Sequence, residues 1–228
     1  MRIGILGTGA LAASLGGAWV RAGHDVLVGG RSPEKAAAAA AAMGGGAGGG
    51  SARAAAAPGE AVAGRDAVLL AVSWAGVPDI LRAAGAAGGA LAGTVLVDPV
   101  NAVDHGVGEH LLTDGRAAAE HIADLAPGAH VVKAFHLFPA ARWSAAAASP
   151  TGPAGGQVTV PLAGDDEAAL RTVGALVADA GARPVTVGPL RRARQLEEAA
   201  GLVIALVFAG HDPGAVVPHV PARAAARA

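Results

Sequence analysis

An open, doubly wound α/β sheet of parallel strands, with a small C-terminal α/β extension, is the fold class that this sequence predicts. Three observations predict it. Short apolar runs alternate with helical stretches along most of the chain. A glycine-rich loop, GTGALA, follows the first apolar run and opens the first helical one. That first helix places Leu11, Leu15 and Trp19 on one face, with Ala12 and Gly16 small enough for close packing on a sheet.

In order, Met1 to Leu6 reads as a buried strand, Ala10 to Ala22 as a helix and Asp25 to Val28 as a second strand. Pro33 to Met43 reads as a helix with Ser32 as N-cap and Pro33 at its first position. The stretch GGGAGGGSARAAAAPG, residues 44–59, is of low complexity and reads as a flexible surface loop. Asp66 to Val72 is a strand, Val77 to Ala87 a helix, Thr94 to Asp98 a strand, Ala117 to Leu125 a helix and His130 to Ala134 a fifth strand. Gln157 to Leu162 then reads as a strand, Asp166 to Ala180 as a helix with Asp165 as N-cap and Gly181 as stop signal, Pro184 to Val187 as a strand, and Arg191 to Ala209 as a terminal helix. Strands alternating with helices imply parallel pairing and right-handed crossovers. The expected division is a dinucleotide-binding domain over 1–150, a small α/β lobe over 151–210 and a flexible tail over 211–228.

Composition narrows the function. With 228 residues, 53% of them hydrophobic and 15% charged, the chain has ample apolar surface for a core. Aromatic residues make up only 3%, so Ala, Val and Leu must build most of it. A net charge of −1 argues against a general binder of nucleic acid or membrane surfaces. The absence of cysteine excludes disulfides, thiolate metal sites and cysteine nucleophiles. No signal-like leader and no membrane-length apolar run is read, so the expectation is a cytoplasmic protein.

Gly7, Thr8, Gly9, Ala10, Leu11 and Ala12 match G-x-G-x-x-A between a strand and a helix. Gly7 permits the tight turn, Gly9 lets a pyrophosphate approach the backbone, and Ala12 keeps the helix close to the sheet. The loop's placement makes the unit Rossmann-type. At the end of the second strand, an NAD-binding protein carries an acid that bonds the ribose 2′-OH. Here the sequence reads VGGRSPEK: glycines, then Arg31, Ser32 and, one turn on, Lys35. These would bind a 2′-phosphate that a carboxylate would repel, and Thr8 adds a further hydroxyl. Cations at a helix start oppose its dipole, so mere decoration explains them poorly. The predicted cofactor is NADP(H).

In open α/β sheets, ligands lie over the carboxyl ends of the strands. Three segments fall there: Val72, Ser73 and Trp74; Asp98, Pro99, Val100 and Asn101; and Phe135, His136, Leu137, Phe138 and Pro139. Here the segments VVKAFHLFPAARW, GDDEAALRTV and VGPLRRARQLEEAAGLVIAL, with MRIGILGTGALAASL and VGGRSPEK before them, resemble the coenzyme F420-dependent NADP oxidoreductase family. The resemblance runs in order over residues 1 to about 209, and the three later segments are more specific as a set than the glycine loop.

The resemblance implies an enzyme that exchanges hydride between the nicotinamide of NADPH and the deazaflavin ring of F420. Two stacked cofactors need position and dryness from the protein more than acid–base groups. By the match, Arg31, Ser32 and Lys35 correspond to 2′-phosphate binders. His136, Leu137 and Phe138, with Pro139 beside them, correspond to the deazaflavin cleft, which the lobe over 151–210 completes, and Trp74 and the Asp98-Pro99-Val100 turn to positions near the nicotinamide. Arg142, Arg191, Arg192 and Arg194 are available for the anionic F420 tail, or are solvated helix charges. Two departures leave room for another substrate: Ser73 stands where the family often has Pro or Thr, and Glu-Glu-Ala-Ala where it has hydroxyls. The alternatives are an NADPH-dependent reductase of a flavin, carbonyl or imine, and a non-catalytic NADP(H)-binding regulatory protein.

His136 is the one histidine read as functional, able to bond a ring carbonyl or carboxamide and so assigned the catalytic position; half-buried bonding to backbone is the competing reading. The other histidines are scattered, none spaced for a metal, and no metal is expected. His24 reads as a turn residue. Asp165, Asp166 and Glu167 read as a helix start, Glu197 and Glu198 as a solvated helix face, and Trp19 as core or a subunit contact. Leu196, Val203, Leu206 and Val207 form an apolar set on the terminal helix that suits a homodimer contact or packing within the chain.

Overall fold

The computed structural model describes residues 1–45, 48–144 and 157–216. The boundary expected at residue 150 and most of the expected tail lie outside these. One sheet of eight strands runs through the molecule: β1 (Arg2–Leu6), β2 (Asp25–Gly29), β3 (Ser51–Ala54), β4 (Ala67–Leu70), β5 (Val95–Asp98), β6 (His130–Lys133), β7 (Thr159–Gly164) and β8 (Arg183–Gly188). Their spatial order is β3-β2-β1-β4-β5-β6-β7-β8. The order reverses between β1 and β4, and the glycine loop leaves β1 at that point, where open sheets bind their ligands.

Two helical layers cover the sheet. On one face, α1 (Ala10–Arg21), α2 (Pro33–Met43) and α6 (Glu167–Asp179) bury Leu15, Trp19, Met43 and Val173 against Ile3, Ile5, Leu69 and Val97. On the other, α3 (Pro58–Val62), α4 (Val77–Ala83), α5 (Ala118–Leu125) and the start of α7 (Ala193–Phe208) pack on Leu6, Val68, Leu70 and Leu96. Strands apolar on both faces are what a doubly covered sheet requires. Trp19 is core, its Nε1 donating to the Leu176 carbonyl at 2.9 Å.

Four sequence expectations need correction. Residues 51–54 form the edge strand β3, parallel to β2, instead of a loop. Ser-Ala-Arg-Ala carries no apolar alternation, and ladder bonds plus a 2.7 Å bond from Ser51 Oγ to Asp25 hold it. The sheet is not parallel throughout: β7 runs antiparallel to β6, and β8 parallel to β7. The described residues between β6 and β7 include a 3₁₀ turn, Ala140–Trp143. The N-cap of α6 is Asp166, accepting from Ala169 N at 2.7 Å, while Asp165 accepts from Leu190 N. His24 is buried with Nε2 2.8 Å from Asp179, more than a turn residue.

Gly4 shows how closely α3 sits on the sheet: a Cβ there would lie 2.0 Å from the Ala61 carbonyl oxygen. Gly4→Ala must push strand and helix apart, so we expect a loss of about 1–3 kcal/mol in urea unfolding.

Candidate active site

The glycine loop has the geometry that a pyrophosphate needs. Gly7 has φ 131°, and its N–H donates to the Gly29 carbonyl at 2.8 Å, which pins the loop to β2. Gly9 precedes α1 as its N-cap, with no side-chain cap and no acid in the first turn. A Cβ on Gly9 would meet nothing within 4 Å, whereas on Gly7 it would strike the Ala71 carbonyl oxygen at 2.0 Å. So Gly7 shapes the turn, and Gly9 leaves open space before free helix N–H donors of Ala10 and Leu11. Ala12 is buried against the sheet, and Thr8 Cγ2 packs on Gly30.

Arg31 and Lys35 are exposed beyond β2. Ser32 Oγ caps α2, accepting from Lys35 N at 3.2 Å, and donates to Glu34 at 2.7 Å. That bond holds the Glu34 carboxyl below its usual range. Glu34 is the one residue here that opposes an anion.

A cleft of about 410 Å³ opens beside α1. Its lining joins Leu11 of the loop, Pro99 and Asn101 after β5, and His136, Leu137, Phe138 and Pro139 after β6. The glycine loop and two of the three expected strand-end segments thus meet. The remaining wall is α7, in the lobe expected to complete the cleft: Val203, Ile204, Val207 and Phe208, which sequence reasoning did not single out as cleft residues. Phe208 is 65% exposed, an apolar helix face bordering a cavity; the apolar spacing on the terminal helix was its only sequence signal. Other expected residues lie elsewhere. Val72 and Trp74 pack on the α4–α5 face, with Trp74 edge-on to His121, and Ser73 is exposed. Val100 is core. Arg142 lines a separate depression with Phe138, Pro139 and Ala141. Arg194 is held by Glu198 at 2.6 Å and by the carbonyls of Leu112 and Arg116, while Arg191 and Arg192 are exposed.

His136 is 6% exposed, and neither ring nitrogen has a protein partner. Burial drives its pKa well below the ordinary 6.5, with the Lys133 charge adding to the fall, so the ring is neutral. Its carbonyl accepts from Asn101 Nδ2 at 2.8 Å, and Asn101 Oδ1 is buried without a partner. The preceding Phe135 has φ 61°, a left-handed conformation rare for an aromatic residue. Edge-on packing against Trp19 and Trp143, at 6.0 and 5.2 Å between ring centroids, holds it there.

Behind the cleft, the reading of Glu197 as solvated is overturned. Glu197 is fully buried and accepts from Lys133 Nζ at 2.8 Å and from Ala118 N at 2.8 Å. Only Glu198 is on the solvated face. A lone lysine in the buried strand HVVK was the sequence signal for a buried acid. Among the described residues no group of three or more metal-binding side chains gathers, and no helix is long and apolar enough to cross a membrane.

The strand order, the switch-point loop and the cleft define the class: a Rossmann-like NADP-binding fold. Residues 2–102 match the model of the coenzyme F420-dependent NADP oxidoreductase family. Metalloreductase STEAP3 of Rattus norvegicus is 30% identical over 196 residues, 86% of this chain. The chain spans 36% of that curated relative's length. A candidate F420-dependent NADP-reductase from Arthrobacter sp. FB24 is 26% identical, with a TM-score of 0.73 over 92% of this chain and 95% of that one. A hypothetical protein from Sinorhizobium meliloti is 28% identical, with a TM-score of 0.67 over 85% and 87%. An imine reductase from Streptomyces aurantiacus, 19% identical with a TM-score of 0.62 over 92% and 64%, shares the fold.

The neutral His136 sets a pH dependence. The unfolded chain takes up a proton near pH 6.5 that the folded imidazole refuses, so stability is lost as pH falls below that value. Thermal melts should show wild type losing stability relative to His136→Gln between about pH 7.5 and about pH 5.5.

Proposed function

We propose that the protein transfers hydride between NADP(H) and coenzyme F420. The observation that carries this reading is the cleft, which joins the glycine loop to the His136–Pro139 segment without a carboxylate, lysine or tyrosine in its lining. Reduction of a carbonyl places negative charge on oxygen, and an acid must meet it. The cleft offers buried His136, which is held neutral, and the exposed His105. A conjugated ring spreads that charge over its own heteroatoms, so it needs less from the protein. The family match supports the same acceptor.

In this reading, Gly7, Thr8, Gly9, Ala10 and Leu11 hold the pyrophosphate, and Arg31, Ser32 and Lys35 hold the 2′-phosphate. Pro99 and Asn101 border the nicotinamide side, and Leu137, Phe138 and Pro139 the deazaflavin side. When bound, NADPH supplies the hydride. His136 offers one N–H donor and one acceptor to the ring's polar edge, Asn101 Oδ1 a second acceptor, and the apolar wall of α7 excludes water. Arg142 beside Phe138 would meet the anionic tail. The exposed Leu202, Val207 and Phe208 of α7 support a homodimer closing over this wall.

Mixing protein, NADPH and F420 should bleach the deazaflavin absorbance. Turnover of free flavin or a small imine with no reaction of F420 would replace this reading by the nearest alternative. Arg31→Asp should weaken NADPH binding by about tenfold or more, and NADH binding far less, by titration calorimetry. Equal losses would contradict the assignment of NADP(H). Gly9→Ala fills the open space without a protein clash, so NADPH affinity should fall while the urea midpoint stays unchanged.

A further inference from the structure

Lys133 ends β6 fully buried, and its ammonium has three hydrogens and three acceptors. Asp98 Oδ2 accepts at 3.1 Å, Glu197 Oε1 at 2.8 Å, and the Val100 carbonyl completes the set. Two acceptors belong to the end of β5 and the turn after it, which gives the cleft Pro99 and Asn101. The third belongs to α7, which gives it Val203, Ile204, Val207 and Phe208. The strand that carries Lys133 runs on into Phe135–Ala140, the remaining wall. Lys133 itself does not line the cleft.

The surrounding groups show what the ammonium does. Asp98 Oδ1 accepts from Val100 N at 2.8 Å, so the carboxylate shapes the turn. Glu197 accepts from Ala118 N and Ala119 N at 2.8 and 3.2 Å, capping α5 from another helix, and His110 Nε2 faces its Oε2 at 3.4 Å. Without the cation, Asp98 and Glu197 would be two buried carboxylates repelling each other across the joint between turn and helix.

We propose that Lys133 is a positioning residue for the second substrate: it fixes the α7 wall against the Asp98–Asn101 turn and sets the electrostatic surroundings of His136, touching no substrate itself. This rests on the reading of the cleft as the second-substrate site. In that reading the phosphate contacts of the glycine loop and Arg31 dominate NADPH affinity, and of this joint only Pro99 and Asn101 border the nicotinamide. The competing role is stability alone. It predicts that every parameter falls together with the folded fraction.

The test compares Lys133→Met and Glu197→Gln with wild type. For Lys133→Met we expect the KM for F420 to rise roughly tenfold or more, with kcat and the NADPH Kd each within about threefold. The imidazole of His136, followed by NMR and identified by its loss in His136→Gln, should titrate at higher pH than in wild type, because a nearby cation is gone. An unchanged KM and titration would overturn the proposal, as would a parallel loss of F420 and NADPH binding. If Lys133→Met does not fold, Glu197→Gln decides: it keeps the size and an acceptor for Lys133 but weakens the tie to α7. Its KM should rise with NADPH affinity retained, and an unchanged KM overturns the proposal. If wild type binds NADPH but does not react with F420, the function proposed above fails separately. The His136 titration and hydrogen exchange along α7 then decide, and unchanged values in both overturn the positioning role.

Discussion

A lysine ammonium with no access to water can exist only where its hydrogens all find acceptors, and the region around the cleft is built to that requirement. Removing one partner of such a buried pair typically costs about 3–5 kcal/mol, because the remaining charge has neither water nor a counter-ion. Here the site holds two carboxylates for one cation. Burial pushes the Asp98 carboxyl up, the Glu197 charge adds to the rise, and Lys133 opposes it. The backbone N–H donors at the start of α5 satisfy what remains of Glu197. One cluster therefore fixes a turn, a strand end and the first turns of two helices. Asn101 and His136, which border the cleft, stand on that turn and just past that strand end.

A second constraint comes from scarcity. The chain has three Trp, three Phe and no Tyr. Four of the six, Trp19, Phe135, Trp143 and Phe138, pack edge-on in one series beside the cleft. Left-handed geometry at Phe135 costs of order 1–3 kcal/mol and persists only where packing overdetermines it. The aromatic series supplies that packing, and the consequence lies one residue on: His136 is held with both ring nitrogens unpaired. Elsewhere Ala, Val and Leu suffice, because helices packed on a sheet need small surfaces more than rigid ones.

The site has two ends of opposite character. Toward β2 it is exposed, with Arg31, Lys35 and free helix N–H groups suited to phosphates. Toward α7 it is apolar, with neutral hydrogen-bonding groups that suit a planar conjugated ring. Glu34 is the exception at the cationic end, and its bond to Ser32 engages that hydroxyl within the α2 start.

The sequence alone determined the parts whose signals are local. Strand periodicity, the GTGALA loop after β1, the Ser32 cap and the cationic pair after β2 each depend on neighbours within a few residues, and all lie where they were read. The meeting of segments at the strand ends was also legible, since β5 and β6 end on the same side of the sheet; hence Pro99, Asn101 and His136–Pro139 line one cleft. What the tertiary structure decided involves partners far apart in the chain. Edge strand β3 is held by ladder bonds that any sequence can make, so Ser-Ala-Arg-Ala gave no sign of it. The direction of β7 shows only in its pairing with β6, which it meets antiparallel. Glu197 and Glu198 are adjacent and chemically alike, yet one is fully buried and the other solvated. Only the approach of Lys133, 64 positions earlier in the chain, distinguishes them. A charge's cost or benefit is set by what surrounds it in space, and the order of residues does not record that.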